Sequence, residues 1–139
     1  MATFKDSKGN EWQVIVHYKS IEEVEFRVGL NLLNTANNHF KELENPVYVG
    51  NALYVLCERQ ITSRGMDDYA FGIAIAGDCY PKAVEALMRA IVNFFPNSRR
   101  RILTRIVDAG VKKNNLITES MNDITAEKLD AALAEFESL

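Results

Sequence analysis

Histidine and cysteine are scarce in this 139-residue chain, with two of each. His17, His39, Cys57 and Cys79 never approach C-x2-C or H-x3-H spacing, which excludes the common zinc signatures. An activated nucleophile needs a base within hydrogen-bond reach. His17 falls in a strand-like run and His39 in the polar segment N-N-H-F-K, so neither is set beside one. Glycines 65, 72 and 77 are too widely spaced for a Walker loop or a dinucleotide fingerprint. No catalytic, metal-binding or cofactor-binding residue is therefore expected. Long apolar runs are also missing. Nothing approaches the ~20 residues of a membrane span, and Asp78, Lys82, Glu85 and Arg89 interrupt the longest candidate. The start, M-A-T-F-K-D-S-K-G-N, has no apolar signal-peptide core. The expected setting is the cytoplasm, without a membrane partner. A net charge of −3 excludes a broadly basic nucleic-acid binder.

What is present is the composition of a globular protein, 47% apolar and 25% charged. The length suits a single domain. Cys57 and Cys79 sit in apolar helical patterns, where reduced thiols are expected. Residues 3–18 read as a β-hairpin. Asp6-Ser7-Lys8-Gly9-Asn10 supplies the turn, and Trp12, Val14, Val16 and Tyr18 share one face of a half-buried strand. A hairpin alone is marginal in water, so it must lie on helices or pair its edge with another chain.

Helical periodicity occupies residues 20–113. Ser20-Ile21-Glu22-Glu23 predicts a capping box opening the first helix, which Gly29 ends. Leu32, Leu33, Ala36 and Phe40 predict a second helix, and Asn45-Pro46 opens a third that runs to about Gln60. Asp67 or Asp68 caps a short helix, and Asp78 with Pro81 opens the next. A helix from Tyr80 to Phe95 has the widest apolar face, suited to a central position. The one after it, Ser98 to Lys113, divides into an apolar stripe (Ile102, Leu103, Ile106, Val107) and a charged one (Arg101, Arg105, Asp108, Lys112). Residues 114–139 read as a loop and a terminal helix with the stripe Leu129, Ala132, Leu133, Phe136. The fold class is mainly α (α+β), a compact domain of about six helices with a small N-terminal hairpin.

Arg99-Arg100-Arg101, with Arg105, Lys112 and Lys113, is the one concentration of charge. It could contact phosphates. With no interleaved aromatics and no helix-turn-helix pattern ahead of it, an acidic protein partner or a solvated face suits it better. Asp67, Asp68 and Asp78 read as helix caps in preference to metal ligands, because acidic residues are favoured where helices start.

Several segments together carry a likeness. They are F-K-D-S-K-G-N-E-W-Q-V at 4–14, V-G-L-N-L-L at 28–33, L-Y-V-L-C at 53–57, F-G-I-A-I-A-G-D at 71–78 and F-F-P-N-S-R-R-R at 94–101. In this order the chain resembles the tail assembly chaperones of phages and prophages over about residues 4–107. The resemblance implies a non-enzymatic helical protein that binds the aggregation-prone tape measure protein during tail morphogenesis. Such a client would offer apolar helical stripes for helix-in-groove packing. The contact residues would come from the Tyr69–Phe71–Ile73 stretch, the Phe94-Phe95 end and the stripe of Leu129, Leu133 and Phe136. Arg101 and Arg105 would serve an acidic partner, and homo-oligomerisation is compatible with this reading. The alternatives are a virion structural or connector component, and a small regulator holding nucleic acid on the 99–113 helix.

Overall fold

The computed structural model describes the backbone of residues 2–122 and the side chains of residues 2–112. Of the described residues, those up to Val107 form one compact unit and those from Asp108 onward belong to a second. Six α-helices and one two-stranded hairpin make up the described residues, with two short 3₁₀ turns. The fold is mainly helical with an N-terminal hairpin, as the periodicities require.

β1 (Ala2–Lys5) and β2 (Glu11–Val14) pair antiparallel with Phe4 opposite Trp12 and Ala2 opposite Val14. Those four residues are buried and their neighbours exposed, the period-2 pattern of a half-buried ribbon. Asp6 organises the turn. Its carboxylate accepts from the Lys8 amide at 2.9 Å, the Asn10 amide at 3.0 Å, the Asn10 side chain at 3.2 Å and the Trp12 indole N–H at 2.9 Å. Gly9 supplies the left-handed conformation that closes the loop, with φ of 83°.

The extended run ends at Val14 instead of reaching Tyr18, and α1 (Tyr18–Val28) starts earlier than the Ser20 box predicted. His17 is the cap. Its Nδ1 accepts from the Ser20 amide at 3.4 Å, and Ser20 Oγ accepts from the His17 amide at 2.8 Å. The box is real but shifted three residues, because His17 offers a ring acceptor where serine was expected to act. Gly29, with φ of 78°, ends α1.

α2 (Leu32–Asn37) is capped by Asn31, whose side chain accepts from the Leu33 and Asn34 amides. It stops before Phe40, shorter than its apolar spacing predicted. The His39 amide bonds Ala36 O at 3.3 Å and the Phe40 amide bonds Thr35 O at 2.7 Å. This is the Schellman pattern of helix termination. A 3₁₀ turn, Lys41–Glu44, leads to α3 (Pro46–Ser63), capped by Asn45 as expected. α3 ends with the same two-bond pattern, here with Gly65 in the left-handed position.

α4 (Asp68–Ala74) is capped by Asp67, which accepts from the Ala70 amide at 2.7 Å. Asp78 lies in the 3₁₀ turn Gly77–Cys79 and makes no cap bond to α5 (Tyr80–Phe94), whose first turn holds Pro81. α6 (Asn97–Asn122) runs without a break through Lys112-Lys113-Asn114-Asn115, so the loop expected there is helix.

Within residues 1–107, β1 lies on α5, β2 and α1 lie on α3, and α2 lies on α5. Trp12, Val24, Leu32, Val49, Leu53, Phe71, Leu87, Ile91, Leu103 and Val107 are fully buried. Trp12 meets Phe71 edge-to-face, with ring centroids 5.0 Å apart at 78°. The Arg64 guanidinium lies 4.0 Å from the centroid of the Trp12 ring. Such ring contacts add about 0.5–1.5 kcal/mol to the area they bury.

Candidate protein-binding surface

Both histidines have backbone roles that sequence reasoning missed, one capping α1 and the other terminating α2. For the first, Ser20 reads in the sequence as the cap itself, although it is the third residue of a helix capped by His17. For the second nothing in the sequence sufficed, because left-handed termini are normally marked by glycine. The two cysteines are free thiols. Burial pushes the Cys57 thiol up to about 12, against a small opposing pull from Arg64. A thiol so shifted carries little thiolate near neutral pH. Among the described residues, no group of three or more His, Cys, Asp or Glu could hold a metal ion. A cleft of about 270 Å³ is lined by Ala2, Arg89, Val92, Asn93 and Thr104. Arg89 there is engaged by Glu85 through bonds of 3.2 and 3.0 Å.

The outer edge of β2, one candidate for pairing with another chain, is closed from α3. The Gln60 side chain accepts from the Gln13 amide at 2.9 Å and donates to Gln13 O at 2.8 Å. Arg64 donates to Glu11 O alongside. The edge of β1 is four residues long and carries Lys5, two features that discourage strand addition.

What remains is a set of exposed apolar side chains on helices. Phe71 belongs to the core at 1% exposure, so it is not available to a partner. Its neighbours in α4, Tyr69 and Ile73, are exposed and lie one turn apart on one face. The reason is geometric: Phe71 points inward onto Trp12, and residues two away on a seven-residue helix face outward. Phe94 is partly exposed and stacks edge-to-face on half-buried Phe95 at 5.9 Å. Arg101 and Arg105 are exposed on α6, as expected of the charged stripe. Ile102, assigned from the sequence to the apolar stripe, is exposed between them, while Leu103 and Val107 are buried. Leu129, Leu133 and Phe136 lie outside the described residues. Phe26, 90% exposed near the end of α1, was not singled out by periodicity, because one aromatic on a polar face leaves no pattern.

The α1–α3 seam is held by Arg27, which donates to both oxygens of Glu58 at 3.0 and 2.7 Å and to Glu23 at 3.1 Å. The hydrogen bond from Arg27 holds the Glu58 carboxyl below its ordinary value, against burial, and the Arg27 guanidinium is correspondingly raised. This fork fixes how α1 presents its outer face. No helix among the described residues is long and apolar enough to cross a membrane. Comparison with protein-family models, with curated proteins and with solved structures finds no match.

Proposed function

We propose that this chain is a non-enzymatic protein-binding module that acts as a tail assembly chaperone of a phage or prophage, holding the tape measure protein before tail-tube subunits polymerise. The resemblance over residues 4–107 suggests the role. The observation that carries it is the exposed pair Tyr69 and Ile73 on α4, 76% and 57% exposed. Both project from a helix whose inner side is anchored by Phe71 against Trp12. An aromatic and an aliphatic side chain one turn apart on a rigid helix suit the apolar stripe of a helical client. Part of a client's apolar surface would be hidden there from other copies of itself.

The test is co-purification of the tagged protein from cells expressing its neighbouring genes, with the bound proteins identified by mass. A long, helix-rich client is expected, retained by the unaltered chain and lost with Tyr69→Ser plus Ile73→Ser. Recovery of capsid or connector proteins, together with presence of the chain in mature particles, would make it a virion component instead.

A further inference from the structure

Two exposed helix faces of this chain match each other in charge and in apolar content. The first is the start of α6. From Asn97 to Val107 it carries four arginines and no acidic residue, although the protein as a whole has a charge of −3. Arg101 and Arg105 are one turn apart, flank Ile102 at 52% exposure, and have no side-chain partner among the described residues. Arg99 and Arg100 stand in the first turn of α6, where cations oppose the helix dipole. A basic cluster placed only for stability would lie at the other end.

The second face is the outside of α1. Tyr18, Glu22 and Phe26 follow one another at four-residue spacing, with Tyr18 72% and Phe26 90% exposed. Glu25 is exposed and has no side-chain partner among the described residues. Among the described residues Glu22 meets only Lys19, at 3.7 Å between two well-exposed side chains, a pair easily exchanged. Glu23, by contrast, is engaged by Arg27.

We propose that a second copy of the chain docks its Tyr18–Glu22–Glu25–Phe26 face onto the Arg101–Ile102–Arg105 face of the first. Glu22 and Glu25 pair with the two arginines, and Phe26 covers Ile102. Each face supplies what the other lacks, charge of the opposite sign that is unpaired or only loosely paired, beside an apolar side chain. The partner's chemistry is thus written in the same chain. Phosphates would satisfy the arginines but leave Ile102 and Phe26 in water, so a nucleic acid fits the pair of faces less well. Because the faces differ, the contact is heterologous and repeats from copy to copy until a ring closes. It does not depend on the tail-assembly reading.

Sedimentation and scattering mass over a concentration series test this, at ~50 mM and ~500 mM salt, where screening lengths differ several-fold. The expected result is a mass that rises with concentration at low salt and falls at high salt. Glu22→Arg plus Glu25→Arg, and separately Arg101→Glu plus Arg105→Glu, should each weaken self-association at least ~10-fold. Mixing the two variants should restore it, since each then carries one face of the original sign and one reversed face. Phe26→Ser, at a site too exposed to affect folding, should weaken association as well, with circular dichroism confirming that every variant is folded. A protein that stays monomeric to ~1 mM at low salt overturns the proposal. So does association that survives Phe26→Ser and both reversals, or a DNA duplex that binds the arginines of a chain that never self-associates.

Discussion

Asp6 satisfies four donors with one carboxylate, and three of them define the hairpin turn. The fourth, the indole N–H of Trp12, would otherwise be buried without an acceptor. Burial by itself would raise the Asp6 carboxyl. The bonds from Trp12, Asn10 and Lys8 outweigh it and hold the pKa below the ordinary 3.8. A carboxylate depressed in the folded state adds stability above its unfolded pKa and loses it as pH falls through the folded one. Asp6→Asn is therefore predicted to cost about 1–3 kcal/mol at pH 7. Its deficit should shrink in urea melts carried below pH 3.8. A deficit unchanged by acid would mean that Asp6 is not held as an anion. His39 offers a test of the opposite sign. It occupies a left-handed position with φ of 57°, where Gly65 serves at the end of α3. His39→Gly should stabilise the protein by about 0.5–1 kcal/mol, read as a higher denaturation midpoint, because glycine adopts this conformation without steric strain.

At the level of elements, what could be read from the sequence was what periodicity and side-chain caps encode. α3 and α5 were placed to within a few residues because Asn45-Pro46 marks one start and a broad apolar face marks the other. The hairpin turn was legible because Asp, Gly and Asn have fixed uses in turns. Boundaries decided by histidine were not legible, since a ring nitrogen at a cap and a left-handed histidine are both uncommon choices. The stop predicted at Lys112–Asn115 failed because four polar residues can lie on the solvent side of a continuing helix as readily as in a loop. Among site residues, Arg101 and Arg105 were placed on an exposed face correctly. Phe71 was not, because a single aromatic on a short helix gives no sign of which way it faces. Leu87 is fully buried in α5, and Leu87→Ala should lower stability by roughly 2–5 kcal/mol in denaturant titration. A loss under ~0.5 kcal/mol would place α5 at the surface.

At the scale of the whole molecule, the apolar pattern was enough to give the class of fold, because each helical stripe has to be buried against another element. The binding surfaces were harder to read. An exposed Tyr69 and a buried Phe71 are chemically alike in sequence, and only packing tells them apart. The same holds for Ile102, which the stripe rule sent inward and the structure leaves in water between two arginines.

The Gln60 side chain meets Gln13 as a neighbouring strand would, one carbonyl and one amide in register with a peptide group. The sheet thus has a third participant that belongs to α3. The Gln13 amide cannot exchange its proton unless Gln60 lets go, so its exchange rate should follow the opening of α3 and not fraying of the ribbon. In deuterated water, Gln13 should exchange with the slow amides of α3, and Gln60→Ala should move it to the fast class while those of α3 stay slow. Residues 2–14 and the third helix would then open and close as one kinetic unit, joined at Gln13 by an amide side chain and at Glu11 by a guanidinium.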